Sequence, residues 1–137
     1  RSHTLKEGKT IEENLLFFAD LSSKESCLAT CLRLLESSQK PTAIFVANQE
    51  LLPSLLIAIK KLKIKNPKAL SIIVWGDPGE QYKNFDFITW DKKEMGKLAL
   101  RILNDRKQGQ YSGNMRSIIP TNLVLRGSSV KLTPKGV

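Results

Sequence analysis

Two short polar turns carry the side chains best suited to holding a small molecule. Asn48-Gln49 follows the apolar run Ala43 to Ala47, and Trp75-Gly76-Asp77 closes a second apolar run that starts at Leu70. Carboxamides, a carboxylate and an indole supply donors, acceptors and an aromatic face, which is the chemistry of binding rather than of bond breaking. Groups that break bonds are scarce. His3 is the only histidine, so neither a histidine-based triad nor a histidine-rich metal cluster can be assembled within one chain. No nucleophile elbow or strand-end pair of acids is recognisable. Gly8-Lys9-Thr10 has the tail of a phosphate-binding loop, but His3 stands where that motif needs its first glycine. Cys27 and Cys31 share one face of an expected helix with Leu28, Leu32 and Leu35, so they are expected to be buried, reduced thiols. No catalytic residue, metal or cofactor is expected.

The elements that must position these turns are legible from periodicity. The runs Ala43 to Ala47 and Leu70 to Trp75 lack apolar/polar alternation and read as parallel strands buried on both faces. Between them Leu51, Leu52, Leu55, Leu56, Ile59 and Leu62 recur at helical spacing. Pro53 falls in the first turn of that helix, where a missing N–H costs little. Strand, crossover helix and strand form a unit whose ligands are met at the carboxyl ends of the strands, which singles out Asn48, Gln49, Trp75 and Asp77. Asn48 equally suits a helix cap. Upstream, Leu15 to Ala19 reads as a strand, followed by a helix opened by a Ser22/Glu25 capping box. Downstream, Phe85 to Thr89 reads as a strand. Asp91 and Glu94 then box the start of a helix over 91–107, with Trp90 and Met95 at staple spacing. A terminal strand is expected over Ser117 to Leu125. The organisation is a partly helical lead-in over 1–14, a domain over 15–129 and a tail over 130–137.

Three motifs in order resemble the lactose/galactose repressor (LacI/GalR) family. They are Pro41-Thr42-Ala43-Ile44-Phe45 with Asn48 and the crossover helix, the 88–103 segment around Met95-Gly96, and Pro120-Thr121 through Leu123-Val124-Leu125-Arg126-Gly127-Ser128. The resemblance implies an α/β fold with a parallel sheet flanked by helices. The chain would be a fragment, most of the carboxy-terminal subdomain of a type I periplasmic-binding-protein-like core. It further implies the effector-sensing and dimerising part of a cytoplasmic transcriptional repressor. Such a part would form a homodimer, have no membrane contact, and meet operator DNA only through a headpiece this sequence lacks. Effector binding would shift the population of cleft closures. Leu21 stands at the family's ligand-stacking aromatic and Trp90 at a glutamine near the ligand, so both join the candidates. Leu5 and Gly76 stand where the family carries an arginine and an aspartate, so the usual grip on a neutral sugar is weakened. A solute-binding protein of sugar transport is the alternative, and an α/β enzyme a more distant one.

The chain has 137 residues, 41% hydrophobic and 26% charged, which suits one soluble domain. Its formal charge of +9 invites a nucleic-acid reading. The lysines, however, are dispersed from Lys60, Lys61, Lys63, Lys65 and Lys68 to Lys92, Lys93, Lys97 and Lys107, with no basic arm or helix-turn-helix pattern. Dispersed cations attract phosphate without reading sequence. This chain alone should therefore protect no operator at about 0.15 M salt. A sequence-specific footprint under those conditions would overturn the expectation.

Overall fold

The computed structural model describes residues 13–38, 40–110 and 113–131. Nearly all of the 1–14 lead-in, with His3, Leu5 and Gly8-Lys9-Thr10, lies outside them, as does most of the 130–137 tail. The elements are α1 (Lys24–Leu35), β1 (Ala43–Val46), α2 (Leu52–Lys61), β2 (Ser71–Trp75), β3 (Asp86–Trp90), α3 (Lys92–Lys107) and β4 (Thr121–Val124). The strands form one sheet in the order β1-β2-β3-β4. The first three run parallel, with Val46 opposite Val74 and Trp75 opposite Ile88, and β4 runs antiparallel to β3 with Thr121 opposite Trp90.

Helix α2 forms where the leucine spacing requires it, with a proline in its first turn. Leu52, Leu55, Ala58 and Ile59 turn inward onto Val46, Ile72, Val74 and Phe87. Each of the larger of these side chains contributes roughly 1.5–3 kcal/mol when fully buried. Helix α1 packs beside α2 and adds Cys31 and Leu35 to the same core. The two thiols are free, as expected. Burial, with Cys27 beside it, pushes the Cys31 thiol up to about 11, so it stays protonated and inert.

Five local expectations are corrected. Leu15 to Ala19 is not a strand. A single 3-10 turn covers Glu13–Leu15, and the chain then runs alongside β1 without a ladder, because apolar sequence alone does not supply a paired neighbour. The cap of α1 is Ser23, which accepts from Ser26 N at 3.1 Å, while Ser22 is taken up by Asp20, whose carboxylate accepts from its N–H and hydroxyl. Asp91 caps α3 as expected, but Trp90 turns to Trp75, leaving its expected staple partner Met95 45% exposed. Burial on both faces holds for β2, where Ser71, Ile72 and Val74 are buried and Ile73 half-buried, but not for β1. In β1, Ile44 and Val46 turn inward while Ala43 and Phe45 are exposed, since only one face of it meets α1 and α2. Strand β4 is also shorter than the run Ser117 to Leu125 that was expected to form it.

The segment after β4 ties the sheet together. Asp86, 1% exposed at the start of β3, accepts from the backbone N–H groups of Arg126, Gly127 (2.7 Å), Ser128 (3.3 Å) and Ser129 (2.9 Å), and from the Ser129 hydroxyl. Ser128 is wedged between the starts of β2 and β3. Its hydroxyl donates to Ile72 O at 2.6 Å and accepts from Asp86 N at 2.7 Å, while its carbonyl accepts from Ile72 N at 2.9 Å. Asn66 Nδ2 reaches the same carbonyl at 3.2 Å, and the Arg126 guanidinium lies 4.9 Å from the centre of the Phe87 ring.

Burial pushes the Asp86 carboxyl up, but the bonds from Ser129, Arg126, Gly127 and Ser128 outweigh it and hold it below its ordinary value of 3.8. A depressed carboxyl adds stability above its unfolded pKa and loses it as pH falls through the folded one. Asp86→Ala, which strands four backbone donors, should cost about 3 kcal/mol or more. Asp86→Asn should flatten the loss of stability below about pH 4. Urea unfolding across that range checks both, and an Asp86→Asn chain as acid-sensitive as the parent would overturn the second.

Candidate functional site

The carboxyl ends of β1, β2 and β3 converge on an opening of about 270 Å³ lined by Ala47, Asn48, Gln49, Trp75, Gly76, Trp90 and Lys92. Parallel strands bring the ends of β1 and β2 level, and the register of β3 sets Trp90 beyond Ile88, the partner of Trp75. The two indoles lie 5.3 Å apart at 32°, and Phe45 meets Trp75 edge-on at 6.4 Å. Trp75 is 38% exposed, so the cluster offers a face to a ligand. Trp90 Nε1 is buried without a hydrogen-bond partner among the described residues. An unpaired buried donor costs about 1–3 kcal/mol. The Lys92 ammonium lies 5.9 Å from the centre of the Trp90 ring.

The two turns fit against each other. Gly76 has φ +92°, and a Cβ there would sit 2.7 Å from Gln49 Oε1. Only glycine both adopts that backbone and admits the glutamine. Asn48 Oδ1 accepts from Glu50 N at 2.9 Å, which caps the turn into α2 and leaves the amide nitrogen of Asn48 uncommitted.

Of the residues singled out in the sequence, Asn48, Gln49, Trp75 and Trp90 are brought together here. Asp77 and Leu21 are not among the lining residues. Asp77 Oδ1 accepts from Gly79 N at 2.9 Å and shapes the following turn. Leu21 lines a separate apolar cleft of about 590 Å³ between the 15–19 segment and β1, with Phe18, Cys31 and Phe45 among its walls. Lys92 and Gly76 are lining residues that sequence reasoning did not select. Lys92 read as one more surface lysine, although its place just after the Asp91 cap fixes it beside Trp90. Among the described residues no group of three or more His, Cys, Asp or Glu side chains could hold a metal ion, and no helix is long and apolar enough to cross a membrane.

The fold recurs in known proteins. The sequence pattern of the periplasmic binding protein-like domain matches residues 2–129. The HTH-type transcriptional repressor CytR of Escherichia coli (strain K12) is 29% identical over 107 residues, covering 71% of this chain and 29% of that protein. The uncharacterized HTH-type transcriptional regulator YkvZ of Bacillus subtilis (strain 168) is 38% identical over 73 residues, covering 53% of this chain and 23% of that protein. The chain thus spans less than a third of the length of either relative. In three dimensions, the transcriptional regulator CelR in complex with cellobiose superposes with a TM-score of 0.75 at 22% identity, covering 89% of this chain and 38% of that one. A LacI family regulator from Enterococcus faecium with bound ribose gives 0.66 at 24%, covering 81% and 42%. These structural likenesses show the fold, and the sequence match over nearly the whole chain shows the descent. The chain belongs to the periplasmic binding protein-like domain family.

Proposed function

We propose that the chain is the effector-sensing part of a transcriptional regulator, with no enzymatic activity, and that its ligand is a small molecule bound at the carboxyl ends of β1 to β3. The observation that carries this is the opening between Asn48, Gln49, Trp75 and Trp90, which lies where an α/β unit meets its ligands. The regulators it resembles are consistent with this, two of them solved with cellobiose or ribose. The opening is shallow. A ligand in it would be completed by a second surface, which makes cleft closure the means of signalling. Operator DNA would be met by another part of the full-length protein, working in the cytoplasm as a dimer. A compound from a metabolite library that changes tryptophan emission of the chain should also change operator affinity of the full-length protein. If every compound occupying the site leaves that affinity unchanged, the reading fails.

The dimer would use α3. No residue of this helix is buried; of its stripe, Met95, Ala99 and Leu103 are exposed, Leu103 at 62%, while Leu98 and Ile102 are half-buried. Covering the stripe would contribute several kcal/mol, at roughly 1.5–3 kcal/mol for each larger side chain. Met95→Glu with Leu103→Glu, both already at the surface, should weaken self-association about tenfold or more without unfolding the sheet. Sedimentation equilibrium checks this, and a parent chain that stays monomeric at high concentration would refute it.

A further inference from the structure

The polar groups around the opening are unbalanced in one direction. Lys92 brings an ammonium that forms no salt bridge among the described residues. Asn48 has spent its side-chain oxygen on Glu50 N, which leaves its amide nitrogen without a hydrogen-bond partner among the described residues. No carboxylate lines the opening: Glu50, Asp77 and Asp91, next to lining residues in sequence, lie outside the lining, and Asp77 and Asp91 accept from Gly79 N and Glu94 N. The lining therefore carries one positive charge with no carboxylate to balance it.

A neutral polyol leaves that charge without a counter-charge. A ligand made of acceptors fits well. The indole pair supplies the other half of the recognition, an exposed aromatic face against which one flat ring can lie, in a space of about 270 Å³. We infer, resting on the effector-site reading above, that the ligand is a small ring compound bearing a phosphate or carboxylate. Its ring lies on the Trp75–Trp90 pair and its anionic group meets Lys92. Charge-assisted bonds of this kind are about twice as strong as neutral ones.

The chain reports on this itself, since its only two tryptophans are Trp75 and Trp90. Tryptophan emission of the 137-residue chain is followed against two matched pairs, glucose 6-phosphate with glucose and adenosine monophosphate with adenosine. The pair that responds tells a sugar ring from a heteroaromatic one. In at least one pair the phosphorylated member should bind about tenfold or more tightly than its neutral partner. Lys92→Met should bring that ratio close to one. Lys93→Met, a neighbour that does not line the opening, should leave it in place and so exclude a diffuse effect of net charge. Equal affinity within both pairs, an equal effect of Lys93→Met, or no response to any of the four compounds overturns the inference. A neutral compound that occupies the site and alters operator affinity of the full-length protein overturns it too, while leaving the effector reading intact.

Discussion

One buried carboxylate closes the fold. Asp86 gathers four consecutive backbone N–H groups of the 126–129 segment, and through that segment Ser128 is pressed between the first residues of β2 and β3. A carboxylate out of water is costly unless its lone pairs are filled, and here they are filled by donors that would otherwise be orphaned at the end of a sheet. Donors and acceptor thus solve each other's problem. The parallel ladder between β2 and β3 starts at Ile73 and Asp86, just above the wedge. With that end clamped, the opposite ends of the strands emerge at fixed heights, and the indoles of Trp75 and Trp90 are delivered side by side.

The site follows from that geometry and from two turns that interlock. Gly76 keeps the β2 turn thin enough for Gln49 to lie across it, while Asn48 spends its oxygen on starting α2. With its oxygen fixed in the cap, the amide nitrogen of Asn48 has no hydrogen-bond partner among the described residues. Trp90 ends β3 and packs on Trp75.

Much of this was legible before the structure. The leucines of α2, the Asp91 cap and the two apolar runs are local signals, and the rule that parallel units bind at strand ends placed Asn48, Gln49 and Trp75 correctly at one mouth. What escaped depends on partners distant in sequence. Nothing in the Asp86 neighbourhood announces the backbone of Arg126 to Ser129. Ser22 and Ser23 are equivalent as letters, and only the path of the preceding chain decides which one caps α1. Leu15 to Ala19 has the composition of a strand but no ladder, since pairing is a property of two segments and not of one. Lys92 was hidden by its abundance, because a lysine gains meaning from the ring it stands over.

The outer side of β1 has a consequence for how such a chain behaves in concentrated solution. Among the described residues nothing pairs with that side, and Phe45 projects from the strand 55% exposed. An open edge with an aromatic side chain is a template on which strands of other molecules can add, the route by which sheets nucleate aggregates. Four residues make β1 too short to be a strong template, and β1 itself carries no charged residue to repel an arriving strand. The repulsion comes from elsewhere, from the net charge of +9 spread over the lysines. Dispersed basicity thus acts as colloidal protection, and added salt, by screening it, uncovers the edge.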